Sequence, residues 1–128
     1  MTVVVCLDDN FGMAFGGRRL SRDRAVCADI VQMASGNAIA MHERSKILFD
    51  GLDANISDDG DIHFVEFEAP NVLLEKADKL VVYRWNRRYP ADLRFDAPLD
   101  SWHLAQTSEF AGSSHEKITK EVYVREHE

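Results

Sequence analysis

An uninterrupted apolar run near the N-terminus, Val3-Val4-Val5-Cys6-Leu7, constrains this chain more than any other feature. β-Branched residues dominate it and no polar residue breaks it, so a strand built from it turns neither face to water. Such a strand belongs in the middle of a sheet covered by helices on both sides, the arrangement of an α/β domain. Asp8 and Asp9 end the run at once, so it reads as a first strand and not as the apolar stretch of a signal peptide.

The elements that follow are predicted from period and punctuation. Asp8 to Arg19, with Gly12, Gly16 and Gly17, reads as a loop. Ser21 offers an N-cap, and Val26, Ile30 and Met33 recur at helical spacing, predicting a helix from about Arg22 to Ser35 with Gly36 just past its end. Ala38 to Met41 reads as a short strand, and His42 to Asp50 as a short helix closed by Gly51. Asp53 to Asp61 is acidic and turn-like. Ile62 to Phe67 reads as a strand, Pro70 to about Ala77 as a helix, and Leu80 to Trp85 as a strand. A long connection from Asn86 to Asp100 leads to strands at Trp102 to Thr107 and Ile118 to Arg125. Helices alternating with strands predict a mainly parallel sheet with right-handed crossovers, and the final hairpin predicts an antiparallel C-terminal strand.

Composition narrows the function classes. The 128 residues fit one domain, 1–128, and 45% apolar content fills one core. A net charge of −7 argues against nucleic acid and against an anionic membrane surface, because nothing concentrates positive charge. No apolar run has the length of a membrane span. Cys6 and Cys27 lie inside apolar patterns and read as buried free thiols of a reducing, cytoplasmic compartment. No two histidines lie two apart, so a His-x-His-x-Asp-His metal motif is absent, and no metal site is expected. Neither a Gly-x-Ser-x-Gly elbow nor a Walker loop is present. Arg18, Arg19, Arg22 and Arg24 cluster beside the glycine loop, where they read as a solvated helix start. Arg84 to Tyr89 interleaves cations and aromatics, a pattern read here as Arg stacking on Trp and pairing with nearby acids.

Local motifs, taken in order, resemble the dihydrofolate reductase family. Leu7-Asp8-Asp9-Asn10-Phe11-Gly12-Met13 is similar to the end of that family's first strand and the turn after it. Leu20-Ser21-Arg22-Asp23 resembles its Leu-Pro-x-Asp at the start of the first helix. Leu74 to Tyr83 resembles its late helix-to-strand junction, Asp92-Leu93-Arg94-Phe95 its Gly-Asp-x-x-Phe element, and Trp102 with Glu121 to Arg125 its closing strands. The resemblance implies a three-layer α/β domain with a mainly parallel sheet and an antiparallel C-terminal strand. It also implies a role for Asp23, since the family's carboxylate at this place faces the pterin and assists proton delivery. Tyr83 falls where the family has a Thr that holds that carboxylate. Asp23 and Cys27, four apart, share a helix face. The strand ends of Cys6 and Tyr83 should meet that face, so Cys6, Asp23, Cys27 and Tyr83 form the expected ligand pocket, with Asp23 its catalytic candidate.

The same comparison implies that no nicotinamide cofactor binds. The family cradles the cofactor phosphates on a Gly-Gly pair after a central strand, where backbone amides approach the anion. Here that stretch is Val65-Glu66-Phe67-Glu68, without glycine and with two carboxylates. About ten residues separate Gly51 from Ile62, where the family has a further strand and helix for the adenosine end of NADPH. Arg44 and Ser45 resemble the family's Arg and Thr, but His42 stands where its preceding Gly would be. The expected function is a ligand-binding or regulatory module without NADPH-dependent reductase activity. The alternative is an enzyme acting on a pterin-like or heteroaromatic molecule through Asp23. Either is compatible with a small-molecule ligand and with a homo-oligomer.

Overall fold

A computed structural model describes residues 1–125. Strand β1 (Thr2–Leu7) is central, as its double-sided apolarity predicts. It pairs in parallel with β5 (Ile62–Phe64) on one side and β6 (Lys79–Arg84) on the other, and β4 (Ile39–Met41) extends the sheet in parallel beyond β5. Beyond β6 come β9 (Ile118–Arg125) and then β8 (Trp102–Phe110), each antiparallel to its neighbour. The six-stranded order is β4-β5-β1-β6-β9-β8. The expected α/β class, central first strand and antiparallel C-terminal strand are all present.

Alternation along the central strands divides the core into two layers. Val4 packs with Val81 and Tyr83 beneath helix α1 (Arg24–Ala34) and the 3₁₀ helix Glu43–Phe49. Val3, Val5 and Leu7 pack with Leu80 and Val82 on the opposite face, against Leu74 of helix α2 (Asn71–Lys76) and Trp102. The four β1 residues Val3, Val4, Val5 and Leu7 are at most 1% exposed. Burial of side chains this size stabilises the fold by about 1.5–3 kcal/mol each.

Several boundaries differ from the sequence expectation, each for a local reason. The glycine loop folds into a hairpin of β2 (Gly12–Phe15) and β3 (Arg18–Arg19), joined by Gly16 and Gly17 at φ +58° and +76°. A Gly-Gly pair at positive φ is the two-residue turn that matches strand twist. β7 (Leu93–Arg94), inside the long connection, pairs with β2 and completes a second, three-stranded sheet. Helix α1 is capped by Asp23, not Ser21, and ends at Ser35 and Gly36, both at positive φ. β5 stops at Phe64, short of the expected Phe67: Val65 still donates to the Val4 carbonyl at 3.0 Å, but Glu66 then turns away to other partners. β8 runs on to Phe110, through a stretch exposed on both faces that offers no apolar alternation to read. Arg84 stacks over Phe11, 4.7 Å from the ring centroid, while Trp85 is buried, so the expected Arg–Trp stacking does not occur there. Among the described residues, no helix is long and apolar enough to cross a membrane.

Candidate functional site

The chemistry-bearing side chains gather where the loop between β8 and β9 folds back over the start of α1. Helix α1 begins at Arg24 because Asp23, in extended conformation, accepts from the Ala25 and Val26 amides. The same carboxylate anchors the returning loop. Oδ1 accepts from the Ser113 amide at 2.9 Å and its hydroxyl at 3.0 Å; Oδ2 accepts from the Ser114 and His115 amides at 2.8 and 3.1 Å. His115 Nδ1 lies 2.9 Å from Oδ2. Glycine at 112 permits this wrap, because a Cβ there would run into the Asp23 carboxylate and come within 2.7 Å of the His115 carbonyl.

Asp23 is thus turned inward and shielded, with both oxygens engaged. Burial alone would raise its pKa, but bonds from the Ser113 amide, the His115 ring, the Ser114 amide and the Ser113 hydroxyl overcome that and hold it well below the usual carboxylate range. An ionised carboxylate accepts only, so Nδ1 of His115 donates to it, and in a neutral imidazole Nε2 is then the acceptor. Ser21 Oγ is 3.1 Å and the Tyr89 hydroxyl 3.0 Å from Nε2. The His115 ring stacks on Trp85, with centroids 4.6 Å apart and planes 20° from parallel.

The sequence-derived pocket residues separate into two settings. Asp23 and Cys27 line a pocket of 220 Å³ between α1 and the 3₁₀ helix, together with Arg22, Arg24, Ile47, Leu48 and Ser114. Cys6 and Tyr83 are not in that lining. They face each other in the β1–β6 register below it. The Tyr83 hydroxyl donates to Asp29 Oδ2 at 2.6 Å, and Lys120 Nζ reaches the same oxygen at 2.8 Å. Burial and the Asp29 carboxylate push the Tyr83 phenol far above its usual range. A larger cavity, 850 Å³, lies past the C-terminal end of β6, lined by Trp85, Asn86, Arg87, Ala111, Glu116 and Lys117.

Both cysteines are free thiols. Burial, reinforced by the nearby Glu66 carboxylate, pushes the Cys27 thiol up to about 11 and raises Cys6 as well. A shift of that size leaves about 100-fold less thiolate than an ordinary cysteine holds. Iodoacetamide at mildly alkaline pH should therefore modify the native protein far more slowly than the urea-unfolded chain, as read by intact mass. Equal rates would mean that these thiols are accessible and ordinary.

Glu66 lies two residues beyond the end of β5. It accepts from Arg19 at 3.0 and 3.2 Å and from the Ser45 hydroxyl at 2.7 Å, and its side chain is 8% exposed. The Arg44 guanidinium covers the neighbouring Phe67 ring at 4.0 Å and donates to the Gly17 carbonyl. Sequence reasoning did not assemble Ser21, Tyr89, Trp85 and His115. They come from three separate segments, Ser21 and His115 being 94 positions apart, and no spacing rule links those segments. Asp29, the partner of Tyr83, was missed for the same reason. No group of His, Cys, Asp and Glu among the described residues is arranged to hold a metal ion.

No family model matches this chain, and no curated protein sequence matches it. Among solved structures, a dihydrofolate reductase from Enterococcus faecalis, complexed with NADP(H) and RAB-propyl, is similar with a TM-score of 0.68. The match covers 98% of this chain and 96% of that one at 10% identity. The fold is dihydrofolate reductase-like, as the order of the sequence motifs implies.

Proposed function

We propose that this chain, built on a dihydrofolate reductase-like fold, is a small-molecule-binding or regulatory module that does not carry out NADPH-dependent reduction. A shared fold does not transmit an activity; the residues at the site decide it. The observation that carries the reading is Glu66. A buried carboxylate, held by Arg19 and Ser45, stands at the strand end where the reductase family cradles phosphate on glycine amides. The family's glycines leave the backbone amides bare for the anion, whereas here the Glu66 side chain, tied to Arg19 and Ser45, and the Phe67 ring beneath Arg44 occupy that strand end.

The pocket lined by Asp23 and Cys27 is the proposed ligand site. Arg22 and Arg24 at its mouth favour an anionic group, while Cys27, Ile47 and Leu48 supply an apolar wall. A small heteroaromatic acid has that combination. Asp23 serves this site by holding its walls together, because its own oxygens are already bonded.

Two measurements test the reading. Mixed with dihydrofolate and NADPH, the protein should oxidise no NADPH above the enzyme-free blank, and NADPH should not raise its melting temperature. Folic acid and smaller heteroaromatic acids should raise the melting temperature, and the rise should shrink in Arg24→Ala. Steady NADPH oxidation dependent on dihydrofolate would overturn the proposal.

A further inference from the structure

We propose that Ser21 and His115, positioned by Asp23, form a nucleophilic site for acyl transfer that hydrolyses small carboxylic esters. Three observations converge on it. The spacing along the chain is right: Asp23 Oδ2 to His115 Nδ1 at 2.9 Å, then His115 Nε2 to Ser21 Oγ at 3.1 Å. The carboxylate is buried and engaged by backbone amides, so it orients the ring and holds one tautomer without itself moving a proton. The cluster is one side chain away from a space large enough for a substrate, whose lining includes none of Ser21, Tyr89 and His115. Trp85, against which His115 stacks, lines the 850 Å³ cavity together with Ala111 and Glu116 of the same loop.

A core histidine needs one donor and one acceptor to be satisfied. His115 has Asp23 on one side and two hydroxyls, Ser21 and Tyr89, competing for the single lone pair on the other. Tyr89 also donates to Ser21 Oγ at 3.3 Å. A serine hydroxyl within reach of a base nitrogen, with a phenol donor beside it, supplies what a nucleophile and an oxyanion donor require. Ser21, at the half-buried edge of the cluster, is the nucleophile; Tyr89 donates to the developing oxyanion.

The step balances as follows. Ser21 Oγ attacks the ester carbonyl carbon, its proton passes to His115 Nε2, and the carbonyl π electrons move to the oxygen, which accepts from Tyr89. The bond to the leaving oxygen breaks as His115 returns the proton to it, releasing the alcohol and leaving an acyl-Ser21 ester. Water then attacks that ester with His115 as base, freeing the acid and restoring the Ser21 hydroxyl. Arg87 and Lys117 on the cavity wall favour esters that carry an anionic group.

This goes beyond the ligand-binding reading and fails separately from it, since a thermal shift with a heteroaromatic acid involves no covalent chemistry at Ser21. The test uses the wild-type protein with an alkyl fluorophosphonate and peptide mass mapping. The expected result is a single adduct on Ser21 in the native protein and none in the urea-unfolded chain. p-Nitrophenyl acetate should be turned over with a rate that falls at least ~100-fold in Ser21→Ala. Ser21→Cys should regain part of that rate, which a purely structural loss would not allow. An unmodified Ser21 in the folded protein, or ester turnover unchanged in Ser21→Ala, would overturn the proposal.

Discussion

Replacing Asp23 with alanine should lower the unfolding free energy by about 3–5 kcal/mol, because the change strands buried donors on two segments at once. The helix loses its cap at the Ala25 amide, and the loop loses the acceptor for the Ser113, Ser114 and His115 amides and the His115 ring. Urea unfolding of Asp23→Ala against wild type measures it. Asp23→Asn keeps the shape and one acceptor oxygen but turns an amide N–H₂ toward donors, so its loss should fall between the two. Acid adds a second signature. The Asp23 carboxyl sits below its ordinary value in the folded state, so its stabilisation is complete above the unfolded value of about 4 and is lost as pH falls toward the folded one. Wild-type stability should therefore drop more steeply than that of Asp23→Asn below about pH 4. A loss under about 1 kcal/mol in Asp23→Ala would show that the carboxylate is only an exposed helix-start acid.

Tyr83→Ala should cost a similar ~3–5 kcal/mol, by a different mechanism. The ring is fully buried under α1, edge-on to Phe110, and its removal leaves a cavity in the layer that holds Val4, Ile30 and Ile118. Tyr83→Phe separates the two contributions. It keeps the ring and removes only the bond to Asp29, whose carboxylate retains Lys120 at 2.8 Å. Its cost should be about 0.5–1.5 kcal/mol. If Phe destabilises as much as Ala, the hydroxyl and not the ring carries this position. Neither variant should alter fluorophosphonate labelling of Ser21, because Tyr83 has no bond to Ser21, Tyr89 or His115.

Local sequence determined the strands and the order in which they alternate with helices. Val3 to Leu7 had to be central because it has no polar face, and Ile118 to Arg125 had to be a strand because its side chains alternate. That Glu66 stands where the resemblance expects glycine was legible in the sequence; its pairing with Arg19 and Ser45 was not. The hairpin at Gly16-Gly17 read only as a loop, because its strands are too short to carry an apolar pattern. The site was not legible in the same way. Asp23 stood out by its position before the helix, but its partners lie 90 to 92 residues away on a loop with no pattern of its own. Ser21 looked like a cap because serine caps helices; only the folded loop, placing Asp23 at the cap and His115 beside Ser21, assigns each its neighbour. Periodicity governs which side of an element meets the core, and that is a local property of the chain. Which loops meet above the strand ends depends on how the loop between β8 and β9 turns back over the start of α1, and that was decided by tertiary packing alone.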